Sequence, residues 1–347
     1  PGISGRQVLA SARLAVAAGA PASVGIRCHV TRIEPGEDAA ILAGTTAFAY
    51  VATGAAGELA PRNVHETARE GNVLESAKNW IVSTDWLASH LDAPDLVVFD
   101  ASWHLPTAGR DPKAEYLEGH IPGAMFFDID DLIDEKSSLP HMLPSTVKFA
   151  SRMKKMGIGD GMRIVVYDTL GMFSAPRAWW TFRAMGHEDV AVLDGGLKKW
   201  KAEGRQLEDG PPRKRTERHF TPLLNASLIR DMDDVKKVIA KRSAQIVDAR
   251  PAGRFEGTEA EPRPGLRAGH LPGARNVPSQ MLINADGTLK SEAELAKIFA
   301  DAGIDPKHPV VTSCGSGVTA SILSLQVARY SPSKPPRVTF QVNIHFS

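Results

Sequence analysis

The chain repeats itself, and that repeat constrains its fold more than any other feature. "VVFDASW" at 97–103 returns as "QIVDARP" at 245–251, "YLEGHIPGA" at 116–124 as "LRAGHLPGA" at 266–274, and "MGIGDGMRIVVYD" at 156–168 as "AGIDPKHPVVTSC" at 302–314. Asp100 and Asp248 lie 148 positions apart, His120 and His270 150, and Asp168 and Cys314 146. Three blocks in one order at a nearly constant offset mean two copies of one domain. Between them, "KAEGRQLEDGPPRKRTERH" at 201–219 is charged, carries Pro211 and Pro212, and shows little periodicity. It reads as an exposed linker. The expected organisation is an N-terminal extension (1–78), a first domain (79–203), a linker (204–224) and a second domain (225–347).

Each copy reads as α/β. Short apolar runs at Leu96–Phe99, Ile164–Tyr167, Val190–Leu193, Gln245–Val247 and Pro309–Thr312 have the length of buried parallel strands. Amphipathic stretches alternate with them, as at Thr146–Met156, Pro176–Met185 and Ser291–Ala302. Such alternation predicts right-handed β-α-β units and, in each domain, a parallel sheet flanked by helices.

The N-terminal stretch is different. All six tryptophans fall between Trp80 and Trp200, whereas residues 1–75 hold only Phe48 and Tyr50 as aromatics. Ala- and Gly-rich sequence of that kind buries little apolar area against its ordering entropy, so weak order is expected. Arg6, Arg13, Arg27 and Arg32 precede the first acid, Glu34. That composition is also that of an organellar transit peptide, which makes mitochondrial placement the alternative to the cytoplasm.

With 41 basic and 40 acidic residues the net charge is +1, which gives no reason to expect a nucleic-acid or membrane-surface partner. No run of 18 apolar residues predicts a membrane span. Two cysteines, Cys28 and Cys314, are too few for a disulfide scaffold or a cysteine zinc site, and low cysteine use fits a reducing compartment. No cluster has metal-ligand spacing, and no cofactor is expected.

The chemistry concentrates at "VVTSCGSGVTAS". Cys314 is placed at the carboxyl end of a buried strand, before a glycine-rich turn and a helix over Val318–Tyr330, where open α/β sheets bind ligands. Gly315 and Gly317 let the backbone curl so that N–H groups point inward, and the helix N-terminus adds its positive end. Donors of that kind stabilise a thiolate and can hold an anionic sulfur adduct. A phosphatase loop would place Arg after the chemistry-bearing Cys with five residues between them, where this chain has Ala320, so a phosphate dianion would lack its bidentate clamp. The first copy has Asp168 at the cysteine's place and reads as catalytically silent. Cys28 has no such context. His120 and His270 recur in both copies, silent one included, and read as structural.

Residues 80–328 resemble the rhodanese superfamily, and within it the tandem-domain 3-mercaptopyruvate sulfurtransferases. The likeness rests on "CGSGVTA" at 314–320, "FFDID" at 126–130, "HMLP" at 141–144, "SAPRAWW" at 174–180, "LDGGLKKW" at 193–200, "GRFEGTEAEPRPG" at 253–265 and both "GHxPGA" blocks. It implies two rhodanese-like domains and a Cys314 persulfide that carries sulfur from 3-mercaptopyruvate to a thiol, a thioredoxin-type protein or cyanide, with pyruvate released. It implies that Arg254 and Arg263 hold the substrate, that Gly315, Gly317, Val318 and Thr319 shape its binding loop, and that Asp130, His141 and Ser316 orient groups and relay protons. Thiosulfate sulfurtransferases resemble "CRKGVT" instead, with two basic residues for a dianion; the neutral Gly315 and Ser316 favour a keto-thiol carboxylate. The alternatives are a thiosulfate:cyanide sulfurtransferase on the same fold and a non-catalytic rhodanese-like binding module.

The tail departs from that pattern. After its loop helix the first copy adds a strand and a helix, whereas the second runs into "SPSKPPRVTFQVNIHFS". Val338, Phe340, Val342, Ile344 and Phe346 alternate with polar residues, an edge-strand pattern. Two outcomes are open: the second domain lacks one native strand and helix, the basis of the binding-module alternative, or the alternating tail pairs with the open edge of its sheet.

Overall fold

The computed structural model describes residues 80–262 and 267–330, together with the backbone of Phe48–Ala49, Arg62–Asn63 and Arg337–Thr339. The expectations for Cys28, Arg263, the transit-like residues 1–33 and Phe340, Val342, Ile344 and Phe346 lie outside the described residues. The chain divides into a unit of residues 1–75 and a unit of residues 76–347. In the first, the two short segments pair antiparallel, Phe48 opposite Asn63 and Ala49 opposite Arg62.

The second unit holds two five-stranded sheets, parallel throughout. The first domain runs β1 (Ile81–Val82), α1 (Thr84–His90), β2 (Leu96–Asp100), α2 (Pro112–Glu118), β3 (Met125–Phe126), α3 (Thr146–Lys155), β4 (Arg163–Tyr167), α4 (Ala175–Ala184), β5 (Val190–Leu193) and α5 (Gly196–Ala202). The second runs β6 (Ile229–Arg230), α6 (Met232–Lys241), β7 (Gln245–Asp248), α7 (Ala252–Glu256), β8 (Arg275–Asn276), α8 (Glu292–Asp301), β9 (Val310–Ser313), α9 (Ala320–Tyr330) and β10 (Arg337–Thr339). The strand orders, β1-β5-β4-β2-β3 and β6-β10-β9-β7-β8, are the same topology twice, as the repeat predicts.

β2, β4 and β5 are buried at every residue, the signature of strands covered on both faces. Several helices start where side chains satisfy free N–H groups: Ser145 accepts from Lys148 N to open α3, Asp231 from Asp234 N to open α6, and Ser291 and Glu294 form a reciprocal capping box on α8. Phe149 and Met153 on α3, and Leu295 and Phe299 on α8, sit four residues apart and face the core.

β10 corrects the reading of the tail. It is not an edge strand: Val338 pairs with Thr312 of β9 on one side and Ile229 of β6 on the other. It fills the place that β5 fills in the first sheet, so the second sheet has all five strands. The polar-apolar alternation suggested an edge; the gap between β9 and β6, with unpaired backbone groups on both sides, is the stronger demand.

The linker is exposed along most of its length yet fastened to the first domain. Glu208 pairs with His120 through both backbone groups and takes the Gly123 N–H at 2.6 Å. Thr221 donates to Asp160, and Phe220 is buried against Phe149.

One apolar core runs through both domains. At its centre α4, buried at nine positions including Trp179, Trp180 and Phe182, packs against α9, buried from Ala320 to Ala328. A turn of the second domain, Asn284–Leu289, caps the silent loop of the first. Asp194 Oδ1 accepts from Leu289 N at 2.9 Å, and Lys198 donates to the Ala285 carbonyl. Gly171 (φ +110°) and Gly287 (φ +90°) meet backbone to backbone there, and a Cβ on Gly171 would lie 2.6 Å from Gly287.

Candidate active site

β9 ends at Ser313, whose carbonyl accepts from Ala249 N at 2.8 Å, and Cys314 follows at once. The chain then turns over Gly315–Thr319 into α9, which begins at Ala320 rather than at Val318. Gly317 adopts φ +82°, a left-handed conformation that suits glycine. The turn brings the Gly317 N–H to 3.1 Å from Cys314 Sγ. Ser321 ties the turn down through a 2.8 Å bond to the Gly317 carbonyl. The thiol is 1% exposed.

Cys314 opens into a cavity of about 180 Å³ between the two domains. The second domain supplies Cys314, Gly315, Ser316, Val318, Thr319 and Arg254; the first supplies Trp103, Leu105 and Phe173. The structure thus gathers six of the residues expected from sequence around one space, and Gly317 touches the sulfur itself.

Asp130 and His141 are held together at one side of this space. His141 Nε2 lies 2.8 Å from Asp130 Oδ1, with the imidazole buried and the carboxylate largely exposed. Trp103 joins the pair to the cavity. Its indole N–H donates to both Asp130 oxygens at 3.1–3.2 Å, and its ring meets the His141 ring edge-on at 5.0 Å while lining the cavity. His141 carries φ +54°, a costly backbone conformation for a residue with a side chain. The Arg177 guanidinium, buried on α4, donates to its carbonyl at 2.5 Å.

Arg177 and Trp103 are site residues that sequence reasoning passed over. Burial pushes the Arg177 guanidinium down to about 9, with the neighbouring Cys314 acting in the opposite direction. Its signal was present, an arginine inside the otherwise apolar "SAPRAWW", but a helix carrying two tryptophans reads first as core.

Arg254 lines the cavity, and its Nη2 lies 3.1 Å from where a Cβ on Gly315 would stand. Its Nε–Nη2 edge is paired with Glu261, Nη2 to Oε2 at 2.6 Å and Nε to Oε1 at 3.3 Å. His120 and His270 make matching structural contacts, each giving Nδ1 to a backbone carbonyl at 2.8 Å and stacking on an aromatic ring, Tyr116 and Phe255 respectively.

The chain is 45% identical over 250 residues to the 3-mercaptopyruvate sulfurtransferase of Escherichia coli (strain K12), covering 72% of this chain and 88% of that one. It is 42% identical over 251 residues to the human 3-mercaptopyruvate sulfurtransferase, covering 71% and 84%. The solved structure of SseA, an Escherichia coli 3-mercaptopyruvate sulfotransferase, superposes with a TM-score of 0.68 at 42% identity, covering 76% of this chain and 97% of that one. The rhodanese-like domain model matches twice, at residues 83–203 and 231–338, on the two copies that the repeat and the paired sheets define. With that domain present in duplicate, the chain belongs to the rhodanese family.

Proposed function

We propose that the protein is a 3-mercaptopyruvate sulfurtransferase in which Cys314 carries the sulfur. The observation that carries the reading is the Cys314 thiol, held against the Gly317 N–H and facing an interdomain cavity that Arg254 also lines. The identity to enzymes of that name supports it.

The Cys314 thiolate attacks the sulfur of 3-mercaptopyruvate. A sulfur–sulfur bond forms, the carbon–sulfur bond breaks, and its electron pair leaves on carbon as the enolate of pyruvate. That carbon takes up a proton through Ser316 and the Asp130–His141 pair, an arrangement in which a carboxylate orients the imidazole that moves protons. Arg254 and Arg263 meet the carboxylate and carbonyl, matching planar donors to planar acceptors. The Cys314 persulfide rests in the N–H cradle until a thiol, a thioredoxin-type protein or cyanide takes the outer sulfur and regenerates the thiolate. The first domain supplies Trp103, Asp130, His141 and Arg177 and, with Asp168 in the cysteine's place, no nucleophile.

The neutral Gly315-Ser316 pair supports mercaptopyruvate over thiosulfate. Two half-reactions through one covalent intermediate predict parallel double-reciprocal lines when donor and acceptor are varied. The neutral loop pair predicts a kcat/KM for 3-mercaptopyruvate at least about tenfold above that for thiosulfate, a difference of about 1.4 kcal/mol at the transition state. Intersecting lines, or thiosulfate as the better donor, would overturn this reading.

A further inference from the structure

Among the described residues, the buried carboxylate of Glu261 contacts two arginines and no backbone group. Its Oε1 takes Arg250 Nη1 at 2.6 Å and its Oε2 takes Arg254 Nη2 at 2.6 Å, with the side chain 3% exposed. Arg250 is already held by both oxygens of Asp248 and by the Gly269 carbonyl. Burial acts to raise the Glu261 carboxyl, but the hydrogen bonds and charges of Arg254 and Arg250 outweigh it and hold it below the usual carboxylate range. The chain Asp248–Arg250–Glu261–Arg254 thus pairs two carboxylates with two guanidiniums beside the cavity.

We propose that Glu261 is a positioning residue that selects the sulfur donor by charge, admitting a monoanionic carboxylate and disfavouring a dianion. This rests on the reading that the donor's anionic group meets Arg254. Glu261 occupies the Nε–Nη2 edge of Arg254, which leaves Nη1 and the outer Nη2 hydrogen as an end-on fork for a second carboxylate. The same contact fixes the guanidinium plane, so little rotamer freedom is lost when the donor binds. Glu261 also repels what approaches. Coulomb repulsion scales with ligand charge, so it opposes thiosulfate twice as strongly as a monoanionic keto-thiol. With Gly315 and Ser316 neutral, this carboxylate is the element beside Arg254 that makes the charge distinction.

The test compares Glu261→Gln and Glu261→Asp with wild type, using 3-mercaptopyruvate and thiosulfate as donors and cyanide as acceptor. Gln keeps the shape and removes the charge; Asp keeps the charge and withdraws it from Arg254. For Glu261→Gln we expect KM for 3-mercaptopyruvate to rise at least fivefold with kcat within threefold of wild type. The thiosulfate-to-mercaptopyruvate ratio of kcat/KM should rise at least tenfold. For Glu261→Asp we expect the KM increase with a donor ratio within threefold of wild type. A folded Glu261→Gln with unchanged KM and unchanged ratio would overturn the proposal. If Glu261→Gln does not fold, an unchanged KM in Glu261→Asp overturns it equally. If wild type itself takes no sulfur from 3-mercaptopyruvate, the functional reading fails; if it does and the variants match it, only the role of Glu261 fails.

Discussion

Asp168 in the first domain stands where Cys314 stands in the second, each the residue that follows the middle strand of its sheet. The strands end alike: Ala101 N donates to Tyr167 O and Ala249 N to Ser313 O, both at 2.8 Å. The loops beyond them differ in what anion they hold. Asp168 fills its own cradle, its two oxygens taking N–H groups of Leu170, Gly171, Phe173, Ser174 and Ala175 at 2.8–2.9 Å. Replacing it by alanine strands five donors, those of Gly171, Ser174 and Ala175 buried, at about 1–3 kcal/mol for a buried unsatisfied group. Asp168→Ala should therefore lose at least about 3 kcal/mol in urea unfolding. The protein that still folds should take up sulfur at Cys314 in full stoichiometry. A variant as stable as wild type would contradict the structural role.

His141 gives the second prediction. Its position depends on Asp130 at the ring, Trp103 at the edge and Arg177 at the carbonyl. Removal of a positioned proton-transfer group costs roughly a hundredfold or more in rate. His141→Ala should lower kcat with 3-mercaptopyruvate by at least that factor, measured as pyruvate release, with KM changed far less. A kcat within threefold of wild type would remove His141 from the proton path.

Asp100 and Asp248 share a place in the repeat but not a partner. Asp248 has Arg250; the first copy has Ser102 there, whose N–H reaches Asp100 at 2.9 Å. Burial pushes the Asp100 carboxyl up to about 6, more than the Ser102 hydrogen bonds hold it down. A raised folded-state value means that the native chain keeps a proton the unfolded chain has lost. Its contribution to stability is full below about pH 4 and disappears as the pH rises through about 6. Thermal melts of wild type and Asp100→Asn should show wild type losing ground to the variant from pH 4 to pH 7. A constant difference across that range would contradict it.

The tail supplies the fourth. β10 hydrogen-bonds β9 and β6 at once, so its loss splits the second sheet. A chain ended at Pro336 should melt at least about 10 °C lower than the full chain, since each kcal/mol is about 2–4 °C at this size. It should also take no sulfur from 3-mercaptopyruvate. Melting within about 2 °C of the full chain would show that β10 contributes nothing.

Much of this was legible before any coordinates. The repeat carried the topology, because two copies of one pattern must solve the same packing problem, and the Cys314 loop carried the chemistry, because glycines between strand and helix leave few other uses. What stayed hidden depends on long-range pairing. The place of Arg337–Thr339 inside the sheet could not be read from alternation, which reports one polar face and not the number of neighbours. Arg177 reaches His141 across 36 positions, and Trp103 reaches Asp130 across 27; neither spacing leaves a local pattern. The arginine loop was half legible: Arg254 was read from its motif, but the fold shows it paired with Glu261 where it lines the cavity.

The most direct test of the account is the intact mass of the purified protein before and after brief exposure to 3-mercaptopyruvate, with Cys314→Ser alongside. One added sulfur atom on wild type, none on the variant, and an equal amount of pyruvate released are predicted. No added sulfur on folded wild type, or the same gain on Cys314→Ser, would contradict Cys314 as the carrier.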